Sequence, residues 1–164
     1  MLRPLRERPL HLFFVIAFGV FAVTSFTIDA IGGLGLDFAA VGHPLAGALA
    51  DYARDIDPLV MSGATWVQAM LFISGFVFGP LKLVLAVGLA RGWRWLPVPA
   101  ITFCGAYIYS TVLYVAVGVL DSPAPILLAL ICAPYVLVPA ALIVHLARTK
   151  TPFERAGSSE PRRA

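Results

Sequence analysis

Asp29 follows the hydroxyl residues Thr24, Ser25 and Thr27 at the end of an apolar run, and Asp57 opens an Asp57-Pro58-Leu59 turn further on. A carboxylate at the centre of a membrane helix costs roughly 2.5–3.5 kcal/mol, and less near the helix end. Two readings of Asp29 stand: an interfacial residue that caps or breaks a helix, or a polar group facing an internal cavity. Asp57-Pro58 is, taken alone, a turn signal. If both lie on one side of a membrane, they can meet at a single cavity mouth. Two carboxylates sharing a proton there would titrate above their usual range. One could then receive a cationic amine while the other holds it in place.

Tyr107, Ser110, Thr111 and Tyr114 recur at i, i+3, i+4 and i+7, the spacing of one helix face. Such a face either glues membrane helices together or lines a ligand cavity. Ala133-Pro134-Tyr135, with Pro139 beyond it, gives a later segment a similar irregularity. Gly79-Pro80, one turn after Gly75, predicts a kink, because proline removes a backbone hydrogen bond. Lys82 is expected to snorkel to the cytoplasmic interface, the alternative being a buried ion pair. His11, His43 and His145 lack metal-ligand spacing, and no metalloprotease, nucleophile-elbow or phosphate-loop motif is present. Cys104 and Cys132 fall in apolar segments and read as buried thiols. Neither a metal nor a cofactor is expected.

The elements that must position these residues are membrane helices. Of 164 residues, 60% are hydrophobic and 13% charged, and the mean hydropathy is +0.88. A soluble domain is closer to half apolar and a quarter charged. A chain this short cannot hide so much apolar surface in one aqueous core. Four runs stand out: His11 to Ile28, Trp66 to Ala90, Leu96 to Leu120 and Ala124 to Ala147. Each approaches the roughly 20 residues needed to cross a bilayer, where backbone groups must bond internally and so form helices. The first run follows basic residues as a secretory signal does, but no small-residue cleavage site follows closely, so it reads as an uncleaved helix.

Arg3, Arg6 and Arg8 precede the first run, Arg91 and Arg94 separate the second from the third, and Arg148, Lys150, Arg155, Arg162 and Arg163 follow the fourth. An even number of crossings puts them all on one side, and the positive-inside rule makes that side the cytoplasm. The other side carries Asp37, Asp51, Asp55, Asp57 and Asp121 with Arg54. The net charge of +3 is thus explained by topology, and no basic stripe with interleaved aromatics suggests nucleic acid. The loop from Ala30 to Thr65 is half apolar, and its Pro44 to Arg54 stretch predicts an amphipathic helix over the bundle mouth. A partly ordered cap is expected there, and a disordered tail over 149–164.

Taken together the motifs resemble the EXPERA superfamily, which contains the emopamil-binding sterol isomerase and the sigma-2 receptor. The features that carry this are Asp29 at the end of the first run, Tyr52-Ala53-Arg54-Asp55 before Asp57-Pro58-Leu59, Trp66 and Gly79-Pro80-Leu81 in the second, Pro99-Ala100-Ile101, Ile108-Tyr109 and Val112-Leu113-Tyr114 in the third, and Ala133-Pro134-Tyr135 with Pro139 in the fourth. The likeness runs from about Leu10 to Arg148. It implies four membrane helices around a lipid-facing cavity, with Asp29 and Asp57 as the ligand-amine pair. The chain also departs from the family. Ser74 stands where the family carries a glutamate, Gly118 where the isomerase carries an acid, and no histidine matches the isomerase's among Trp66 to Met70. Isomerisation of a sterol double bond needs a proton donor and a nearby base, so that activity is in doubt.

The resulting expectation is an all-α, integral membrane four-helix bundle with both termini cytoplasmic, comprising a domain over 1–148 and the tail. The expected function is to bind a sterol-like or amphipathic small molecule, cationic ones included, through Asp29, Asp57, Tyr107, Ser110, Thr111, Tyr114 and Tyr135. The alternative is a lipid-modifying isomerase or cyclase with Asp29 and Asp57 as its acid/base pair. The expected partners are the bilayer and that hydrophobic ligand, with a homodimer left open. The expected location is the cell membrane, or the endoplasmic reticulum in a eukaryote.

Overall fold

The computed structural model describes residues 5–36 and 44–148. Asp37, Val41, His43 and the tail from 149 onward lie outside the described residues. Four helices are long and apolar enough to cross a membrane: α1 (Pro9–Gly33), α3 (Thr65–Arg91), α4 (Pro97–Asp121) and α5 (Pro125–Arg148). At 1.5 Å per residue, helices of 24 to 27 residues are about 36–40 Å long. The shorter helix α2 (Pro44–Asp55) lies in the loop between α1 and α3. Among the described residues there is no strand.

The second, third and fourth spans match the apolar runs to within a residue at each end. The first does not stop at Ile28 but continues past Asp29 to Gly33. Asp29 makes no cap hydrogen bond. It ends a five-residue π turn, Ser25–Asp29, inside the continuous helical run. The capping reading is thereby removed. The expected irregularity at Gly79-Pro80 takes a related form, because a second π turn, Ser74–Phe78, directly precedes it. Pro80 has no N–H and crowds the carbonyl four residues back. The wider turn accommodates this, with the Gly79 N–H reaching the Ser74 carbonyl.

Helices α1 and α3 run antiparallel and pack along their length, as do α4 and α5. One end gathers the start of α1 and the ends of α3 and α5. There the Arg8 guanidinium donates to the Ala90 carbonyl at 2.8 Å, capping the open end of α3 as basic side chains do at helix C-termini. Gly92 closes that end in a left-handed conformation, φ 65°, and Trp93 stacks on Trp95 with ring centroids 5.3 Å apart. His11 and His145, far apart in sequence, meet edge to face at 5.2 Å. Above this end lies the main core, with Phe14, Phe18, Leu89, Cys104 and Leu142 almost completely enclosed. A second, smaller cluster of Leu59, Val67 and Leu71 lies towards the opposite end, beside Tyr114 and Val117. Outward positions such as Phe13, Val20, Leu83, Leu120, Leu130 and Leu137 are exposed and apolar, as a lipid-facing surface requires.

At the aspartate end α1 and α3 approach almost backbone to backbone. A Cβ on Gly33 would lie 2.4 Å from the Phe72 nitrogen, and one on Gly75 would lie 2.9 Å from the Ala30 nitrogen and Cα. Small residues permit such crossings, which are held by close packing rather than by a hydrophobic drive. Gly33→Ala should therefore lower the thermal unfolding midpoint in detergent, at a cost of about 1–3 kcal/mol. Gly19→Ala, where the new Cβ meets nothing within 4 Å, should not lower it.

Candidate functional site

The close crossing sets the two π turns against each other, and each brings polar side chains to the contact. Such turns recur at functional positions in membrane and soluble helices alike. Ser25 and Ser74 both donate to Oδ2 of Asp29, at 2.9 and 2.6 Å. The hydroxyls of the two serines are 3.5 Å apart. Lys82 completes the cluster. Its Nζ donates to the Ser25 hydroxyl at 2.6 Å and sits 4.2 Å from the centre of the Tyr107 ring. Ser25 thus accepts from the lysine and donates to the aspartate. Lys82 is 1% exposed, so it does not snorkel. Serine and aromatic groups solvate it where the interface was expected to.

Tyr107 is held in an aromatic layer by Phe103 at 5.8 Å, Phe78 at 5.9 Å and Phe21 at 6.5 Å. Tyr135 stacks on Phe21 at 4.4 Å, and its hydroxyl reaches Thr24 at 3.4 Å. These rings bridge the α1–α3 pair to the α4–α5 pair. Thr111 donates back to the Tyr107 carbonyl at 3.0 Å, a local helix bond. Ser110 is half-buried and forms no hydrogen bond among the described residues.

Asp57 belongs to a different cluster. The carbonyl of Tyr52 accepts from the amides of Ile56 and Asp57 as α2 ends, and the turn Pro58–Met61 follows. The Ser122 hydroxyl donates to the Ile56 carbonyl and ties this segment to the α4–α5 connection. Asp57 is 3% exposed. Its Oδ2 accepts from Tyr114 at 2.9 Å and from Tyr52 at 3.5 Å, while its Oδ1 has no hydrogen-bond partner among the described residues. Burial pushes the Asp57 carboxyl above the ordinary carboxylate range. The Tyr114 and Tyr52 hydroxyls and the nearby amides of Leu59 and Val60 pull it down without cancelling that rise. Burial and the adjacent Asp57 likewise hold the Tyr52 hydroxyl well above its usual range.

The two aspartates therefore do not form one proton-sharing pair. Each has its own partners. What lies between them is aromatic and sulfhydryl: Tyr135 and Cys132 are within electrostatic range of Tyr52, and Tyr135 is also within range of Asp29. Tyr107 and Tyr114, two turns apart on α4, face the Asp29 and Asp57 clusters respectively. Gly118 lies one turn beyond Tyr114, where a Cβ would meet Leu128 at 3.1 Å and Leu59 at 3.3 Å. The loop's leucine fills the space an acidic side chain would need.

The sequence matches the family EBP: EXPERA (EXPanded EBP superfamily) over residues 44–146. The chain belongs to the EXPERA superfamily. This EXPERA protein is a multi-pass membrane protein with four apolar helices. No curated protein and no solved structure matches it. The matched stretch begins with α2 and takes in Asp57, Ser74, Lys82, Tyr107, Tyr114 and Tyr135.

Sequence reasoning missed the pairing of Lys82 and Ser74 with Asp29. The available signal was a lysine deep within an apolar helix, opposite a helix rich in hydroxyls. The raised Asp57 carboxyl has a consequence for pH. A group that holds its proton more tightly in the folded state contributes stability that is complete below the unfolded-state value and is lost as pH rises through the folded-state value. The thermal midpoint in detergent should fall as pH rises from about 4 through the raised range, and Asp57→Asn should flatten that dependence. Tyr114→Phe, which removes the shorter of the two tyrosine bonds to Asp57, should lower the midpoint by about 1–3 kcal/mol of stability.

Proposed function

We propose that this protein binds a sterol-like or other amphipathic small molecule between its helices, with the polar head of the ligand at Asp57. The observation that carries the reading is the Asp57 Oδ1 oxygen, which is buried and has no hydrogen-bond partner among the described residues, the Leu59 and Val60 amides standing near the carboxylate without completing a bond to that oxygen. Buried polar atoms are almost always satisfied, and a ligand hydroxyl or ammonium would satisfy this one. Tyr52 and Tyr114 hold the other oxygen of the same carboxylate. Tyr107, Ser110, Thr111 and Tyr135 supply a wall of mixed apolar and polar character, and Asp29 closes the far end of the polar series. A membrane-embedded site reached from the bilayer suits an apolar ligand body. The basic residues favour the cell membrane with both ends in the cytoplasm.

The lipid-modifying alternative has less support. One Asp29 oxygen already accepts from two serine hydroxyls, and the position of Gly118 is packed by Leu59. The binding reading is tested by thermal unfolding of the purified protein in detergent against a panel of sterols, long-chain alcohols and long-chain amines. At least one should raise the midpoint, by about 2.7 kcal/mol of stability at a hundredfold excess over its Kd, and Asp57→Leu should abolish that rise. If no amphiphile in the panel stabilises the wild type, the proposal fails.

A further inference from the structure

Among the described residues, Lys82 is the one charged group of the membrane interior that the binding reading does not use. It lies nine residues before Arg91, about 13 Å from the end of α3 at 1.5 Å per residue, and is 1% exposed. Its ammonium has a hydroxyl on one side, Ser25 at 2.6 Å, and an aromatic face on another, Tyr107 at 4.2 Å. Asp29 stands one hydroxyl further on. A carboxylate, a hydroxyl and an aromatic face are the groups with which proteins hold a bound alkylammonium. Here the protein's own side chain occupies that setting.

We propose that Lys82 is the internal cation of the intramembrane site, filling beside Asp29 the position a ligand's ammonium would take, so that the site turns away cationic amphiphiles and accepts uncharged ones that offer a hydroxyl to Asp57. This rests on the binding reading above and specifies its ligand class. The electrostatics hold for either arrangement of the proton. With Lys82 and Asp29 both ionised, the cluster has no net charge. With the proton transferred to the carboxyl, both groups are neutral and the cluster again has none. In neither state does Asp29 present an uncompensated negative charge: a second ammonium nearby would meet the positive Lys82 in the first and would find no counter-charge in the second, in a medium that screens poorly. Ser74 contributes to this arrangement, since a neutral hydroxyl on Asp29 adds no further negative charge for a ligand cation to answer. The remaining acceptor is Asp57, whose Oδ1 has no hydrogen-bond partner among the described residues and suits a hydroxyl whether the carboxyl is protonated or not.

Two probes that differ only at the polar head decide the matter: cholesterol and its 3-amino analogue, measured by equilibrium binding to the full chain in lipid nanodiscs. The wild type should prefer the alcohol by about tenfold or more. Lys82→Arg should keep that preference, whereas Lys82→Met should reverse it by leaving Asp29 uncompensated. A wild type that prefers the amine, or an unchanged ratio in Lys82→Met, overturns the proposal. Binding of neither probe counts against the binding reading rather than against Lys82. Its pairing with Asp29 is then settled by thermal unfolding of Lys82→Met, Asp29→Asn and the double variant. If the double variant is more stable than the sum of the single losses, or folds where Lys82→Met does not, the internal pair is supported. Strictly additive losses overturn it.

Discussion

A charge in the hydrocarbon interior cannot be left to solvent, and the arrangement of α1 against α3 follows from meeting that requirement for Lys82 and Asp29. Taking two ions out of water costs several kcal/mol each unless geometry and added hydrogen bonds offset it. A direct contact of lysine and aspartate would satisfy only part of the hydrogen-bonding capacity of each. The Ser25 hydroxyl between them accepts from one and donates to the other, and Ser74 adds a second donor to the same carboxylate oxygen. The aromatic face of Tyr107 then covers the lysine on the side of α4. One polar cluster thereby joins three membrane helices.

That cluster needs the backbone to be unusually close and locally widened at once. Gly33 and Gly75 supply the closeness, since the Cβ positions they lack would overlap the neighbouring backbone. The two π turns supply the widening. Each adds a residue to its turn, which shifts the side chains that follow around the helix. Ser25 and Asp29 bracket the first turn and Ser74 opens the second. In α3 the cause is visible in Pro80, which cannot donate to the residue four back. In α1 no proline is involved, and the turn accompanies the hydroxyl-rich Thr24-Ser25-Phe26-Thr27 stretch, where Thr24 and Thr27 donate to backbone carbonyls one turn earlier.

Composition and hydropathy made the four spans legible, because the bilayer imposes a length and an apolar content that few other structures share. The helix from Pro44 was legible through its amphipathic spacing. The polar positions of α4 were legible as a helix face, not by their partners. Tyr107 and Tyr114 do share a face of α4, but they serve different clusters, and Thr111 is spent on its own helix. Asp29 and Lys82 each keep two readings in the sequence, a cap or a cavity-facing carboxylate for the one and a snorkelling tip or a buried ion pair for the other, because a buried charge is placed by what a second helix offers it. Distance in sequence hides such partners: Ser25 and Lys82 are 57 residues apart. The contact of His11 with His145 escaped notice in the same way.

The two aspartates differ in the kind of structure that holds them. Asp29 is held within a continuous helix and by a bond from Ser74 across the close crossing at Gly33 and Gly75, so moving it means separating α1 from α3. Asp57 is held by a loop. Its anchors are two tyrosine hydroxyls, a serine bond from Ser122 to Ile56, and the Leu59 side chain seated over Gly118. These anchors come from side chains at one end of α4 and from the loop itself, so Asp57 depends on a few local contacts and not on the packing of one helix along another. The cluster around Asp29 is held instead by helix packing, so its lysine, serines and aspartate stay in register for as long as α1 and α3 remain together.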